Sequence, residues 1–269
     1  MLIILLFLFG LAIGSFLNVL IDRIPRNEPI VKSRSYCESC KKKLKWIDLI
    51  PVLSFIFLKG ECRYCRSPIS FYYPTVEFLT GILFISVVFL LPTSGIMNYE
   101  LGIRNIAYMG YNLLIISALI VIFFTDLKYG IVPDKITYPV IIFSLFYLIF
   151  NFPLSNPIQS DSTFNFVLSA LFAFMFFLLI FVITKGRGMG FGDVKLVFLL
   201  GLFLGFPKIV VALYLAFLTG AVISLILIMF RKKKFFGSTI PFGPFLVIGT
   251  IISLFFGDLI LKYILPFLA

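Results

Sequence analysis

The stretch Gly188-Met-Gly-Phe-Gly-Asp193-Val-Lys195 sets three glycines, a carboxylate and a lysine between two runs of membrane-grade apolar residues. The run before it, 163–184, is long enough to cross a hydrocarbon core of roughly 30 Å as a helix. The run after it, 194–206, is shorter, and Gly201, Gly205 and Pro207 make it either a short helix or half of a bent hairpin. The literal G-x-G-x-G imitates a nucleotide or S-adenosylmethionine loop, but a long apolar run precedes it where a strand is required, and no βαβ unit surrounds it. The stretch therefore reads as a polar break between membrane helices, and the question becomes why an acid stands in it.

The rest of the chain supports that setting. Of 269 residues 61% are hydrophobic, with mean hydropathy +1.12 and 35 Phe, well above the roughly 45–50% apolar fraction of soluble domains. Apolar runs recur near 1–21, 72–92, 105–125, 136–152, 163–184, 194–206, 208–230 and 243–266. They lack the ten-residue alternation of a membrane barrel, so helices are the spanning element. The expected fold is an all-α polytopic membrane protein with about eight transmembrane helices and a small soluble domain between the first two. Its parts are a first helix 1–21, a loop domain 22–71 and a transmembrane core 72–269.

Charge sets the expected orientation. No basic residue precedes the first run, and Arg23 and Arg26 follow it, the reverse of signal-peptide polarity. It reads as a retained helix with its N-terminus outside. The loops 22–71, 126–135, 185–195 and 231–242 then lie inside with 11, 2, 3 and 4 Lys and Arg, or 20 of the chain's 23. Such a bias follows the positive-inside rule. The net charge of +11 is accounted for by membrane lipid beside those loops. Arg231-Lys-Lys-Lys234 is a topology signal, and no nucleic-acid partner is expected.

Histidine is absent, which removes Ser-His-Asp triads, Cys-His pairs and His-ligated zinc hydrolases. All four cysteines fall in the 22–71 loop, as Cys37-x2-Cys40 and Cys62-x2-Cys65 separated by 21 residues. Paired knuckles are a tetrathiolate zinc signature, and a domain this small gains from a metal the folding energy its core lacks. Two disulfides or a redox pair are the competing arrangements, and structural disulfides are rare in a cytoplasmic loop. Four thiolates close the coordination sphere, so zinc here would be structural. Trp46 and the Lys41–Lys43 run beside the knuckles are too sparse to indicate nucleic-acid binding.

Two acids stand at helix ends on the same expected side of the membrane: Asp126 after Phe123-Phe-Thr125, and Asp193 before Val194. Ionisable groups at membrane depth are costly and tend to be functional or paired. Two carboxylates held close share a proton and can act together as general base and general acid. Taken singly, Asp193 could serve as a helix cap and Asp126 as a solvated acid near Lys128. Asp134 reads as a cap or turn acid and a reserve candidate. Gly188, Gly190 and Gly192 supply positive φ or close backbone approach, giving a substrate strand room beside Asp193. Glu77 reads as a helix-start acid, and Gly10-x3-Gly14 with Ser15 as a helix-packing face.

These motifs resemble a known family. Phe-Thr-Asp126 and Gly190-Phe-Gly-Asp193 are similar to the two motifs of GxGD-type intramembrane aspartyl proteases. Gly14-Ser-Phe-Leu-Asn-Val19 with Arg23-Ile-Pro25, the cysteine knuckles, Ile69 through Glu77, Asp126 through Asp134, and Pro241-Phe-Gly-Pro244 resemble the bacterial type 4 prepilin leader peptidase and N-methyltransferase family, over about residues 10–250 in matching order. Departures are small: Cys37-Glu-Ser-Cys40 lacks the proline often found inside the first knuckle, and Val132 stands where isoleucine is common.

The resemblance implies a multi-pass protein of the bacterial cytoplasmic membrane working at the cytoplasmic face. It would cleave the basic leader of type IV prepilins and pseudopilins after glycine, with Asp126 and Asp193 catalytic and Gly190 and Gly192 beside the substrate. It would then methylate the new N-terminal amine from S-adenosylmethionine, with Zn2+ on Cys37, Cys40, Cys62 and Cys65. The zinc loop, Glu77, Ser15 and Asn18 are the places to look for the methyl step. The competing class is a proton- or cation-coupled transporter using paired intramembrane aspartates, against which stand the lack of a repeat between the halves and the placement of both acids at one face. A third is a zinc-stabilised scaffold without catalysis, in which the acids would be dispensable.

Overall fold

The computed structural model describes residues 2–30, 34–90, 103–151, 157–230 and 241–263. Among these the regular structure is helical, with a single 3-10 turn and two isolated β-bridges, Tyr36 with Lys43 and Glu61 with Pro68. The helices are α1 (Leu2–Arg23), α2 (Leu53–Phe57), α3 (Tyr72–Leu90), α4 (Ile103–Tyr129), α5 (Asp134–Asn151), α6 (Pro157–Ile183), α7 (Phe191–Leu204), α8 (Lys208–Met229) and α9 (Gly243–Tyr263). Leaving aside the short α2, they coincide with the eight apolar runs. Six of them, α1, α3, α4, α6, α8 and α9, are long and apolar enough to cross a membrane, so the protein is a multi-pass membrane protein. The expectation of about eight crossings is thus met by six on length and composition. At 14 residues α7 extends about 21 Å, short of a full hydrocarbon core, and α5 spends its first turn on Asp134 and Lys135. The Arg231–Lys234 run and the expected span ends at 91–92, 152 and 264–266 lie outside the described residues.

The chain divides into two compact units, Met1–Val121 and Ile122–Ala269. In the first, α1 lies along α3. The seam is built on small residues: a Cβ on Gly10 would lie 2.7 Å from the Cα of Gly81, and one on Gly14 2.7 Å from the Cα of Glu77. Absent side chains let the backbones approach, the packing that apolar surroundings favour because lipid supplies no hydrophobic drive between helices. Phe7 and Phe78 add an edge-on ring pair at 5.8 Å.

In the second unit α7 is the central element, packed by α5, α6, α8 and α9. Ten of its residues are buried, which explains why it is apolar on every side rather than along one stripe. Gly201 lets α6 come against it at Ala170, and Gly249 does the same for α9 against Ala212 of α8. Gly205 closes α7 at φ +66 and donates its N–H to the Gly201 carbonyl, a backbone state that suits glycine. The turn into α8 is held by Asn165, whose Nδ2 donates to the Phe206 carbonyl at 3.0 Å while Oδ1 accepts from the Phe206 N–H at 3.2 Å. Rings of Phe177, Phe217 and Phe242 fill the space between α6, α8 and the start of α9.

Candidate active site

Two connections meet at one end of the second unit. α4 ends at Tyr129, and Gly130, at φ +68, donates its N–H to the Asp126 carbonyl at 2.8 Å, the left-handed C-terminal cap that glycine makes without strain. Pro133 then starts α5, its carbonyl accepting from the N–H groups of Ile136 and Thr137. Across from it, α6 ends at Ile183, Gly186 closes its end at φ +73 with its N–H donating to the Phe181 carbonyl, and the chain passes through Gly188 and Gly190 into α7. The two connections touch: Gly192 faces Val132, where a Cβ would come within 3.0 Å of the Val132 Cβ. Lys195 of α7 is ion-paired with Asp134 of α5 and lies over the rings of Tyr138 and Phe191, at 5.2 and 5.4 Å.

Asp126 and Asp193 are both buried, at 5% and 8% exposure. Asp193 is the third residue of α7 and Gly190 is its N-cap, so Asp193 is not the cap it could have been. Its position in the first turn still places a carboxylate where the helix dipole favours one. Asp126 sits against the first residue of α9: a Cβ on Gly243 would lie 2.6 Å from Asp126 Oδ2. That oxygen is buried and has no hydrogen-bond partner among the described residues, an arrangement that costs free energy unless another group supplies the donor. Asp134, with its side chain 57% exposed, is engaged by Lys195 and stands outside this buried set.

The glycines work through space rather than dihedral angle. None of Gly188, Gly190 and Gly192 has positive φ, contrary to one half of the expectation. Gly188 abuts Thr184 and Gly192 abuts Val132, each at 3.0 Å for a hypothetical Cβ, whereas beside Gly190 the nearest atom is Asp193 Oδ2 at 3.8 Å. Gly190 is therefore the open position next to the acid. Gly243, within Pro241-Phe-Gly-Pro244, gains its place beside Asp126 only from the fold, and no local sequence signal gives it that role.

In the first unit the four cysteine sulfurs lie within 4.8 Å of one another, and all four are free thiols. Sγ of Cys37 and Cys65 are 3.8 Å apart, far beyond a disulfide bond and near the ~3.8 Å edge of a tetrahedron with zinc–sulfur bonds of about 2.3 Å. The knuckles are near copies: Cys37 N–H donates to the Lys42 carbonyl and Cys62 N–H to the Ser67 carbonyl, with Lys41 and Arg66 each at φ +57. The set fits one tetrathiolate-bound metal ion. The backbone N–H of Cys40 lowers the Cys37 thiol to about 6. At Cys40 the Lys42 backbone N–H works downward, but burial and the thiols of Cys65 and Cys37 prevail and push it up to about 11.

The spacer between the knuckles is organised by Asp48, which sequence reasoning missed. It accepts from the Lys45 N–H at 3.0 Å, Arg63 Nε at 2.6 Å and Tyr64 O–H at 3.3 Å. Burial raises its carboxyl, but the Lys45 N–H and Arg63 outweigh this and hold it below the ordinary range. Glu77 is not at the start of its helix. It is buried in α3, and its Oε2 accepts from the N–H of Val52 at 2.8 Å. Val52 is at φ +59, strained for a β-branched residue. Asn18 Nδ2 donates to the Tyr73 carbonyl at 3.1 Å, while its Oδ1 is buried without a partner among the described residues.

The fold and these two sites define a multi-pass helical membrane protein that holds a buried pair of carboxylates and carries a four-cysteine knuckle loop. Residues 8–91 match the bacterial peptidase A24 N-terminal domain and residues 113–225 the type IV leader peptidase family. A prepilin leader peptidase/N-methyltransferase of Bacillus subtilis (strain 168) is 33% identical over 261 residues, 96% of each chain. One of Aeromonas hydrophila is 32% identical over 97% of this chain and 93% of its own, and one of Pseudomonas aeruginosa 30% identical over 97% and 92%. No solved structure matches. The chain belongs to the type IV leader peptidase family, and it is an enzyme of that kind. This membership leaves the transporter alternative without support.

Proposed function

We propose that the protein cleaves the basic leader of type IV prepilins or pseudopilins after a glycine, at the cytoplasmic face of the bacterial inner membrane, with Asp126 and Asp193 as the catalytic pair. The observation that carries this reading is the burial of both acids at one end of the helical core, with Oδ2 of Asp126 unpartnered among the described residues. Two carboxylates in so dry a place hold one proton between them. The ionised acid removes a proton from water as the oxygen attacks the scissile carbonyl, and the protonated acid donates to the carbonyl oxygen. Collapse of the tetrahedral species breaks the C–N bond, and the leaving amine takes up a proton from the pair. A precursor helix entering from lipid presents its cleavage bond at the interface, and the open side of Gly190, with Gly192, is where its backbone would pass.

Eight crossings with the N-terminus outside accord with 20 of 23 basic residues falling in the alternate loops. In the parts proposed, 1–21 is the first helix, 22–71 a cytoplasmic loop domain and 72–269 the aspartyl protease core. Cys37, Cys40, Cys62 and Cys65 would hold a structural Zn2+, which locks the loop and takes no part in hydrolysis. The second activity is methylation of the newly exposed amine, for which S-adenosylmethionine supplies an electrophilic methyl group. Glu77 and Asn18, a buried carboxylate and an unpaired buried amide oxygen, are the first residues to test for holding that amine. Ser15, near Glu77 on the same seam, is a third.

The test is incubation of the purified protein with a peptide carrying a basic leader, Gly, Phe and an apolar helix, with and without S-adenosylmethionine, followed by mass analysis. Leader loss in both samples and a gain of one methylene only with the donor are the expected products. An uncut peptide, with the protein folded and metal-loaded, would overturn the peptidase reading.

A further inference from the structure

The loop between α1 and α3 leaves its large apolar side chains outside its own core. Trp46 is 76% exposed and Phe57 80%, and Leu53 and Ile56 are exposed beside them. They belong to the 3-10 turn Trp46–Leu49 and to α2, which pack on one another. In a freely solvated loop this would be a costly surface.

The loop is not free. Val52, between the turn and α2, donates its N–H to Glu77 of α3 at 2.8 Å, and the ring of Phe55 in α2 meets that of Phe71 at 5.0 Å. Phe71 is the residue before α3 and is itself 76% exposed. Glu77 lies five residues after Tyr72, so Val52 is fastened about 7.5 Å along α3 from its start. α3 is one of the six helices that can cross a membrane. The exposed apolar residues on either side of Val52 are therefore tied to the level where α3 passes from headgroups into hydrocarbon.

The charges beside them match an anionic surface. Lys41, Lys42, Lys43 and Lys45 run up to Trp46, Lys59 follows Phe57, and all are exposed. Asp48 is turned inward onto Arg63, leaving Glu61 as the one exposed acid between Lys41 and Arg66. A short apolar ridge containing Trp and flanked by lysines is the composition of an interfacial anchor.

We propose that Trp46, Leu53, Ile56, Phe57 and Phe71 insert into the headgroup–acyl boundary of the leaflet in which α3 begins, with the flanking lysines bound to anionic phospholipid. The anchor needs only that α3 spans the membrane and is independent of the peptidase reading. It would keep the metal knuckle loop lying on the bilayer, against the backbone strain stored at Val52.

Trp46 is the single tryptophan of the chain, so the unmodified full-length protein reports on its own anchor. It would be reconstituted into phosphatidylcholine vesicles with and without phosphatidylglycerol, using lipids brominated at shallow or deep acyl positions, and probed with aqueous iodide. The expected result is short-wavelength emission quenched most by shallow bromine, placing the indole about 5–10 Å into the boundary. Replacing Lys41, Lys42, Lys43 and Lys45 with Gln should abolish the extra shallow quenching that phosphatidylglycerol produces. Long-wavelength emission quenched by iodide and not by bromine would overturn the proposal. So would short-wavelength emission quenched by neither, which would mean that protein, such as a second copy of the chain, covers the ridge. Equal quenching with and without phosphatidylglycerol in the unmodified protein would overturn the anionic part.

Discussion

Gly243 stands so close to Asp126 that a Cβ at that position would lie 2.6 Å from Oδ2 and 3.1 Å from Cγ. The first residue of α9 thus sets where the Asp126 carboxylate can be. Gly243→Ala should push the acid aside while adding little to the bulk of the core. Because a displacement near 1 Å at reacting groups can cost about 10²-fold, kcat for leader cleavage should fall by roughly that factor with the protein still folded. Unchanged kcat would show that the carboxylate has freedom the packing does not suggest.

Asp126→Asn and Asp193→Asn should each lower cleavage by ~10²–10⁴-fold, the range for removing a general acid or base. If the two act as the proposed unit, the double variant should be little worse than either single one. Rates from the single and double variants in the peptide assay decide this. Multiplying effects would mean that the acids serve separate steps.

Asp134 offers the contrast. Its partner Lys195 is mostly covered, but Asp134 itself is more than half exposed, and such pairs are worth ~0–1 kcal/mol. Asp134→Asn should therefore shift thermal unfolding slightly and leave cleavage within a few-fold of the parent. Abolished cleavage with intact folding would give Asp134 a catalytic role and count against the proposed pair.

Gly192 and Val132 form a space-limited contact, 3.0 Å for a Cβ on the glycine. Gly192→Ala should separate the two connections and lower kcat, and adding Val132→Gly should recover much of it, because the second change removes the opposing Cβ together with its methyl groups. A double variant no better than Gly192→Ala would argue that backbone freedom, not space, is what Gly192 supplies.

Metal binding at the knuckles should weaken as pH falls. With its thiol lowered to about 6, Cys37 is ionised at neutral pH and takes up a proton as pH drops through that value. Cys40, pushed up to about 11, keeps its proton across the neutral range and must release it to bind. Zinc affinity should accordingly drop about tenfold per pH unit for each proton released, measured by chelator competition across the neutral range. An affinity independent of pH would contradict thiolate ligation at these positions.

Much of the architecture was legible before any coordinates. Helix-length apolar runs separated by charged turns are local signals, and each of the eight holds a helix over most of its expected length, α6 starting six residues early at Pro157. The cysteine spacing foretold a cluster because two short turns can bring four sulfurs together with little help from the rest of the chain. Asp126 and Asp193 were conspicuous because a charge beside an apolar run is costly. Gly243, Asp48 and the Val52–Glu77 hydrogen bond were not visible, since each gains its meaning from a partner 15 to 117 residues away.

Composition and hydrophobic pattern alone thus determined that this chain is helical, lies in a membrane and sets two carboxylates at helix ends. They also marked four thiols in one loop, because burial preference and ligand chemistry belong to residues and their immediate neighbours. The tertiary structure decided which oxygen is left unpartnered, that Asp134 pairs with Lys195 rather than joining the buried acids, and that the glycines of the opening stretch provide space instead of positive φ. Those outcomes depend on how closely particular helices and turns approach. That approach is set by the mutual fit of side chains far apart in the chain, such as Gly192 against Val132 and Gly243 against Asp126.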